Sequence, residues 1–135
     1  MAYSLGEASR KKLKGVNPRL VKVVERAIEL TEQDFSVLEG VRTLSRQKWL
    51  YAQGRTRLGP IVTWTLKSKH IDGEAVDLVP YPLDWNTPSK FDAIYDAMIR
   101  ASFELNIPIR SGMDWDRDGV LRERKESDSP HYELA

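Results

Sequence analysis

Residues 68–80 read SKHIDGEAVDLVP, and the fold turns on how this stretch is understood. Its second half, AVDLVP (75–80), is a short apolar run closed by proline, the pattern of a buried β-strand. A carboxylate in such a strand is costly unless something pairs with it. Asp77 is that carboxylate. His70, one of two histidines in the chain, lies seven positions earlier with Gly73 between them. A glycine there permits a tight turn from the histidine into the strand.

Working outward, Ser4 and Glu7 fit a capping box that opens a short first helix, which Gly15 would end. Asn17 and Pro18 are the cap and first residue of a second helix. Its Leu20, Val21, Val24, Ala27 and Ile28 recur at three- and four-residue spacing and make one buried face. FSVLEGV (35–41) is strand-like, and SRQKWLYAQ (45–53) reads as a helix stopped by Gly54. The following GRTRLGPIVTWTLKSK has too little periodicity to assign. After the loop PYPLDWNTP, Thr87 and Pro88 open a helix to about Asn106, with Phe91, Ile94, Tyr95, Met98 and Ile99 as its core stripe. IPIRS (107–111) and HYEL (131–134) are two further strands. The elements mix without a βαβ rhythm, so the expected class is α+β. The expected architecture is a small antiparallel sheet with flanking helices, in a single domain over residues 1–135. Trp49, Trp64, Trp85 and Trp115 read first as core, with Trp64 and Trp115 the two placed to line a groove.

The chain has 135 residues, 41% hydrophobic and 30% charged, enough for one real core. No apolar run approaches the roughly 20 residues of a membrane-spanning helix. MAYSLGEASRKKLKG lacks the apolar centre of a secretory signal, so the expected starting point is the cytoplasm, unless an export signal has been removed. The absence of cysteine excludes disulfides, thiolate metal sites and a cysteine nucleophile. Any metal must be held by histidine and carboxylates. The net charge of +1 hides an asymmetry: 14 Lys/Arg against 6 Asp/Glu in residues 1–70, then 7 against 14 in residues 71–135. A basic half can attract nucleic acid or another anionic polymer, or simply pack on the acidic half. No zinc-finger, RNA-recognition or P-loop pattern accompanies it, and nucleic acid is not expected as a partner.

The second histidine, His131, lies in ESDSPHYEL (126–134). Taken alone, either histidine reads as an ordinary core or surface imidazole. Each, however, adjoins a strand-like segment with carboxylates near it: Asp77 for His70, Asp128 and Glu133 for His131. Pairing of those strands would bring the two ends of the sequence into one cleft. Two imidazoles and one carboxylate then make a three-ligand zinc site with a fourth position for water. The spacing by itself is unrestrictive. A second candidate ion site lies in GMDWDRDGVL (112–121), where Asp114, Asp116 and Asp118 precede Gly119 as in the first half of an EF-hand Ca2+ loop. The twelfth position, ordinarily Glu, is Lys125, and the alternative reading is an acidic surface turn.

SKHIDGEAVDLVP and DSPHYE together resemble the paired motifs of zinc peptidases that cut bacterial cell-wall peptides. The first matches SxHxxGxAxD; the second has an acid three positions before a histidine that is followed by an aromatic residue and Glu. These are the D-alanyl-D-alanine carboxypeptidases and the phage L-alanyl-D-glutamate endopeptidases. NPRLVKVVERAIELTEQDFSVLEGVRTLSRQKWLYAQGRT is similar to the family's N-terminal helix, strand and EGxRT…RQ…L…G segment, so the resemblance covers nearly the whole chain. The compact length looks most like the phage endolysin branch. The resemblance implies that His70, Asp77 and His131 bind Zn2+. It further implies that Asp128 is the catalytic acid/base and that Arg42 faces the scissile carbonyl or its oxyanion. Ser68, Glu133 and Gln47 take supporting roles. Glu126, five residues before His131, is the rival to Asp128. The implied activity is hydrolysis of peptidoglycan stem peptides by a monomeric L-alanyl-D-glutamate endopeptidase. Such an enzyme waits in the host cytoplasm until the membrane is opened. Within the class the alternative is a D-alanyl-D-alanine carboxypeptidase; outside it, a non-catalytic zinc-bearing wall-binding module. The basic first half would then draw the protein to anionic wall polymers.

Overall fold

The chain runs α1 (Glu7–Lys12), α2 (Pro18–Leu30), β1 (Phe35–Glu39), α3 (Leu44–Ala52), β2 (Ala75–Pro80), α4 (Pro88–Leu105), β3 (Ile109–Gly112) and β4 (Asp128–Leu134). This is a computed structural model that describes residues 3–41, 44–56, 59, 70–117, 119, 121–122 and 128–135, with the backbone alone for 44–47. The strands form one antiparallel sheet of order β1-β2-β4-β3. The α+β class and the antiparallel sheet agree with expectation. AVDLVP is an inner strand, which explains its apolar composition.

Period-two alternation decides which side chains go where. Phe35 and Val37 of β1, Val76 and Leu78 of β2, and Tyr132 and Leu134 of β4 join one core with α2 and α4. The alternate residues Asp77, His131 and Glu133 are left to the opposite face. α2 contributes Leu20, Val23, Val24, Ala27 and Ile28, all buried. Full burial of a Val, Leu or Ile side chain stabilises by about 1.5–3 kcal/mol, so this helix anchors the sheet's inner face. Ion pairs add little: Arg26 meets Glu104 across α2 and α4 at 2.9 Å, but both side chains are partly open to solvent.

Local signals succeeded where they were self-contained. The Asn17 side chain accepts from the Arg19 N–H at 3.0 Å, and Pro18 is the first residue of α2. Asn106 ends α4 in the left-handed region at φ 56°. Several expectations need correction. Gly6 rather than Ser4 is the N-cap of α1, and having no side chain it makes no side-chain cap, while its neighbour Leu5 is buried. Thr87 is the N-cap residue of α4, as expected, but its side chain makes no capping bond; its hydroxyl donates to Asp84 instead, at 2.8 Å. On α2, Val23 is buried and Val21 only partly so. On α4, Ala97, Ala101 and Ser102 share the inner face, while Tyr95 and Ile99 lie at its margin. β1 stops at Glu39, β3 begins at Ile109, and β4 starts three residues before His131. Trp49 and Trp85 are exposed rather than core. Trp64 lies outside the described residues. No helix among the described residues is long and apolar enough to cross a membrane.

Tyr132 is fully buried on the core side, and among the described residues its hydroxyl has no hydrogen-bond partner. Burial pushes its phenol well above the usual range. An unpaired buried hydroxyl costs about 1–3 kcal/mol. Tyr132→Phe is therefore expected to raise stability by about 1 kcal/mol and Tm by about 3 °C, read by thermal denaturation. A lowered Tm would mean that the hydroxyl contributes to the fold.

Candidate metal centre

The strand register brings the two distant motifs together. β2 pairs β4 with Asp77 directly opposite His131 and Ala75 opposite Glu133. His70 arrives from the turn that leads into β2. That turn is closed by Gly73, at φ +73°, whose N–H donates to the His70 carbonyl at 3.3 Å. A Cβ at 73 would crowd the Gly15 carbonyl, so glycine is needed for space as well as for conformation. The Gly73 carbonyl accepts from the Asn17 N–H at 2.7 Å, which ties the turn to the start of α2.

Hydrogen-bond partners identify which ring nitrogens are available. His70 Nδ1 lies 2.9 Å from the Gly40 carbonyl. A carbonyl only accepts, so Nδ1 carries the proton and Nε2 is left facing Asp77 Oδ1 at 3.1 Å. His131 Nε2 lies 2.8 Å from Glu133 Oε1, and its Nδ1 faces the same Asp77 Oδ1 at 3.4 Å. His70, Asp77 and His131 form a group that could hold a metal ion, with one ligand atom from each and all within 4.8 Å of one another. Tetrahedral zinc with bonds of about 2.0–2.1 Å separates its ligand atoms by roughly 3.3 Å, and the two nitrogen–oxygen spacings to Asp77, 3.1 and 3.4 Å, lie close to that. The rings of His70 and His131 meet edge to face, with centroids 5.1 Å apart.

The electrostatics favour positive charge. Burial alone would raise the Asp77 pKa, but hydrogen bonds from His131 and His70 outweigh it and hold the carboxyl well below its usual range. Burial would lower His131, yet Asp77 and Glu133, with Asp128 at longer range, push it up to about 9. The pocket therefore favours a cation, and a proton would compete with any metal held there.

The remaining predicted residues fall into three groups. Glu133 and Asp128 belong to the centre's surroundings: Glu133 is buried against His131, and Asp128 is the exposed first residue of β4. Asp114 is buried, where its carboxylate accepts from the Tyr95 hydroxyl at 3.2 Å and the Gly119 N–H at 2.9 Å; Asp116 is exposed. Trp115, between them, packs its ring 5.3 Å from that of His131, so the acidic loop adjoins the centre. Arg42, Ser68, Asp118 and Glu126 lie outside the described residues, as does the side chain of Gln47.

A family model described as phage L-alanyl-D-glutamate peptidase matches residues 1–135. The chain belongs to that family. It is 37% identical to the L-alanyl-D-glutamate peptidase of Escherichia phage T5 over 141 residues, covering the whole of both chains. Among solved structures it is similar to the crystal structure of the Serratia marcescens L-Ala D-Glu endopeptidase ChiX. That match has a TM-score of 0.78 and 32% identity, covering 97% of this chain and 90% of the other. The resemblance read from the two motifs is thus confirmed at family level.

Three contributors escaped the sequence reading. Gly40 acts through its backbone carbonyl, which carries no side-chain signature. Arg110 pairs with Glu133 Oε2 at 3.1 Å through a cross-strand register that no local pattern reveals. Gly112 lies opposite Asp128 at an irregularity in the β3–β4 ladder, where a Cβ would collide with the Asp128 carbonyl. Its place in the loop-like GMDWD was the one available hint.

Proposed function

We propose that the protein is a zinc-dependent endopeptidase that hydrolyses the L-alanyl-D-glutamate bond of peptidoglycan stem peptides. The observation that carries this reading is the convergence of His70 Nε2, His131 Nδ1 and Asp77 Oδ1, in a chain whose family is named for that bond. His70, Asp77 and His131 are the zinc ligands, a donor set of two nitrogens and one oxygen that suits this ion. Zinc, when bound, supplies a Lewis acid and a water whose pKa falls from 15.7 to about 7.

The chain's own residues do the rest. The Asp128 carboxylate takes a proton from the attacking water and returns it to the departing amine nitrogen. Its support is position: it stands at the exposed start of β4, close enough for its charge to act on His131. Arg42 stabilises the oxyanion, a contribution of roughly 2.7–4 kcal/mol for a donor of this kind. It follows Gly40, the residue whose carbonyl orients His70, by two positions. Glu133 holds the His131 tautomer, and Ser68 and Gln47 support the site. The protein acts as a monomer and reaches the wall from the host cytoplasm once the inner membrane is opened.

The Asp114–Gly119 loop is a Ca2+ site in this reading. The favouring observation is the bond from the Gly119 N–H to Asp114, which closes the turn and leaves Asp116 exposed beside it.

Mass spectrometry of muropeptides digested by the zinc-loaded protein tests the assignment, with a chelator control and with roughly millimolar calcium added or withheld. Release of a stem peptide beginning at D-glutamate is expected. Released free D-alanine would instead make the protein a carboxypeptidase, and wall binding without any product would make it a binding module. Product yield and calorimetry both unmoved by calcium would remove the second ion.

A further inference from the structure

We infer that Arg110 is a positioning residue for the metal centre, acting through Glu133 to fix the His131 ring with Nδ1 turned toward the cation. The inference rests on the zinc reading above. In the β3–β4 register Arg110 lies directly opposite Glu133, so both side chains project from the same face as His131. The two oxygens of Glu133 have separate partners. Oε1 lies 2.8 Å from His131 Nε2, and Oε2 accepts from Arg110 Nη2 at 3.1 Å.

Glu133 has three rotatable bonds, and a single hydrogen bond to an imidazole does not fix it. A second, charge-assisted bond to the other oxygen does. It also supplies a counter-charge to a carboxylate that is only 9% exposed, where ionic interactions are little screened. With Glu133 held at both ends, His131 must keep its proton on Nε2 and offer Nδ1. Arg110 gains little for itself. Its Nε is buried and, among the described residues, has no hydrogen-bond partner. Its described side-chain bond runs from Nη2 to Glu133.

The test measures zinc(II) affinity by competition with a chromophoric chelator, alongside Tm, for the parent protein, Arg110→Met, Arg110→Lys, Glu133→Gln and the Arg110→Met/Glu133→Gln double variant. Arg110→Met is expected to weaken zinc binding by about 10-fold or more, with Tm confirming that the variant is folded at the temperature of the titration. Arg110→Lys, which keeps the charge and loses the planar fork, should fall between it and the parent. The double variant should bind zinc no more weakly than Glu133→Gln alone, since both changes break one chain of contacts. Nitrogen NMR of the zinc-loaded protein should place the metal on His131 Nδ1 in the parent and on a mixture of ring nitrogens in Arg110→Met. Parent-like zinc affinity in Arg110→Met overturns the inference and leaves the zinc reading standing, as does a double variant whose losses multiply. If Arg110→Met does not fold, parent-like affinity in Arg110→Lys overturns it equally. A parent protein that binds no zinc overturns both.

Discussion

Replacing Asp77 by asparagine is expected to abolish stoichiometric zinc binding and to lower peptidase activity by about a thousand-fold or more. Asp77 Oδ1 faces both imidazoles, at 3.1 Å from His70 Nε2 and 3.4 Å from His131 Nδ1. It is also the negative charge that, with Glu133, makes the pocket favour a cation. Asparagine keeps the shape and an acceptor oxygen, so β2 is expected to keep its pairing with β1 and β4, and a thermal melt separates a loss of function from unfolding. What disappears is the charge and a good ligand. The loss expected corresponds to the several kcal/mol of transition-state stabilisation that a bound metal contributes, at 1.36 kcal/mol per factor of ten. The checks are zinc content after dialysis and the rate of stem-peptide release. An Asp77→Asn protein that retains one zinc per chain and activity within ten-fold of the parent would remove Asp77 from the ligand set.

The residues of this centre differ in how visible they are in the sequence alone. AVDLVP is legible because a short apolar run closed by proline has few other readings, and Asn17–Pro18 because a cap and its helix are neighbours in sequence. His70, Asp77 and His131 are legible as residue types that bind metals. Their convergence depends on Asp77 lying opposite His131 and not one residue away, and a shift of one would send the carboxylate into the core. Register is a property of the whole sheet, so spacing alone leaves it open and the resemblance of two motifs supplies it. The same argument hides Arg110, which sits in IPIRS like any polar residue alternating with apolar ones. Trp49 and Trp85 mislead for another reason: side-chain hydrophobicity favours burial on average, yet it does not say whether the fold leaves room. The aromatic after His131 shows the opposite outcome, since alternation sends Tyr132 into the core and away from the site its motif marks.

Asp128→Ala is expected to lower activity by about 10²–10⁴-fold while zinc binding is retained, and Glu126→Ala to leave both unchanged. Asp128 begins the strand that carries His131, so the proposed acid and the proposed ligand share one element. Exposure suits its role, because a carboxylate that exchanges protons with water and an amine must be reachable by both. Its placement depends on Gly112, which faces it across the β3–β4 irregularity with no room for a Cβ. Gly112→Ala must therefore push the start of β4 outward, and it is expected to reproduce much of the Asp128→Ala loss. The pairing of Asp77 with His131, three residues farther along β4, stays in register with β2. Zinc affinity should consequently fall less than activity in Gly112→Ala, whereas Asp77→Asn loses both together. The two variants separate positioning of the acid from assembly of the metal centre. Full activity in Asp128→Ala, with the loss appearing in Glu126→Ala instead, would transfer the acid/base role to Glu126 and leave Gly112→Ala as a strand defect alone.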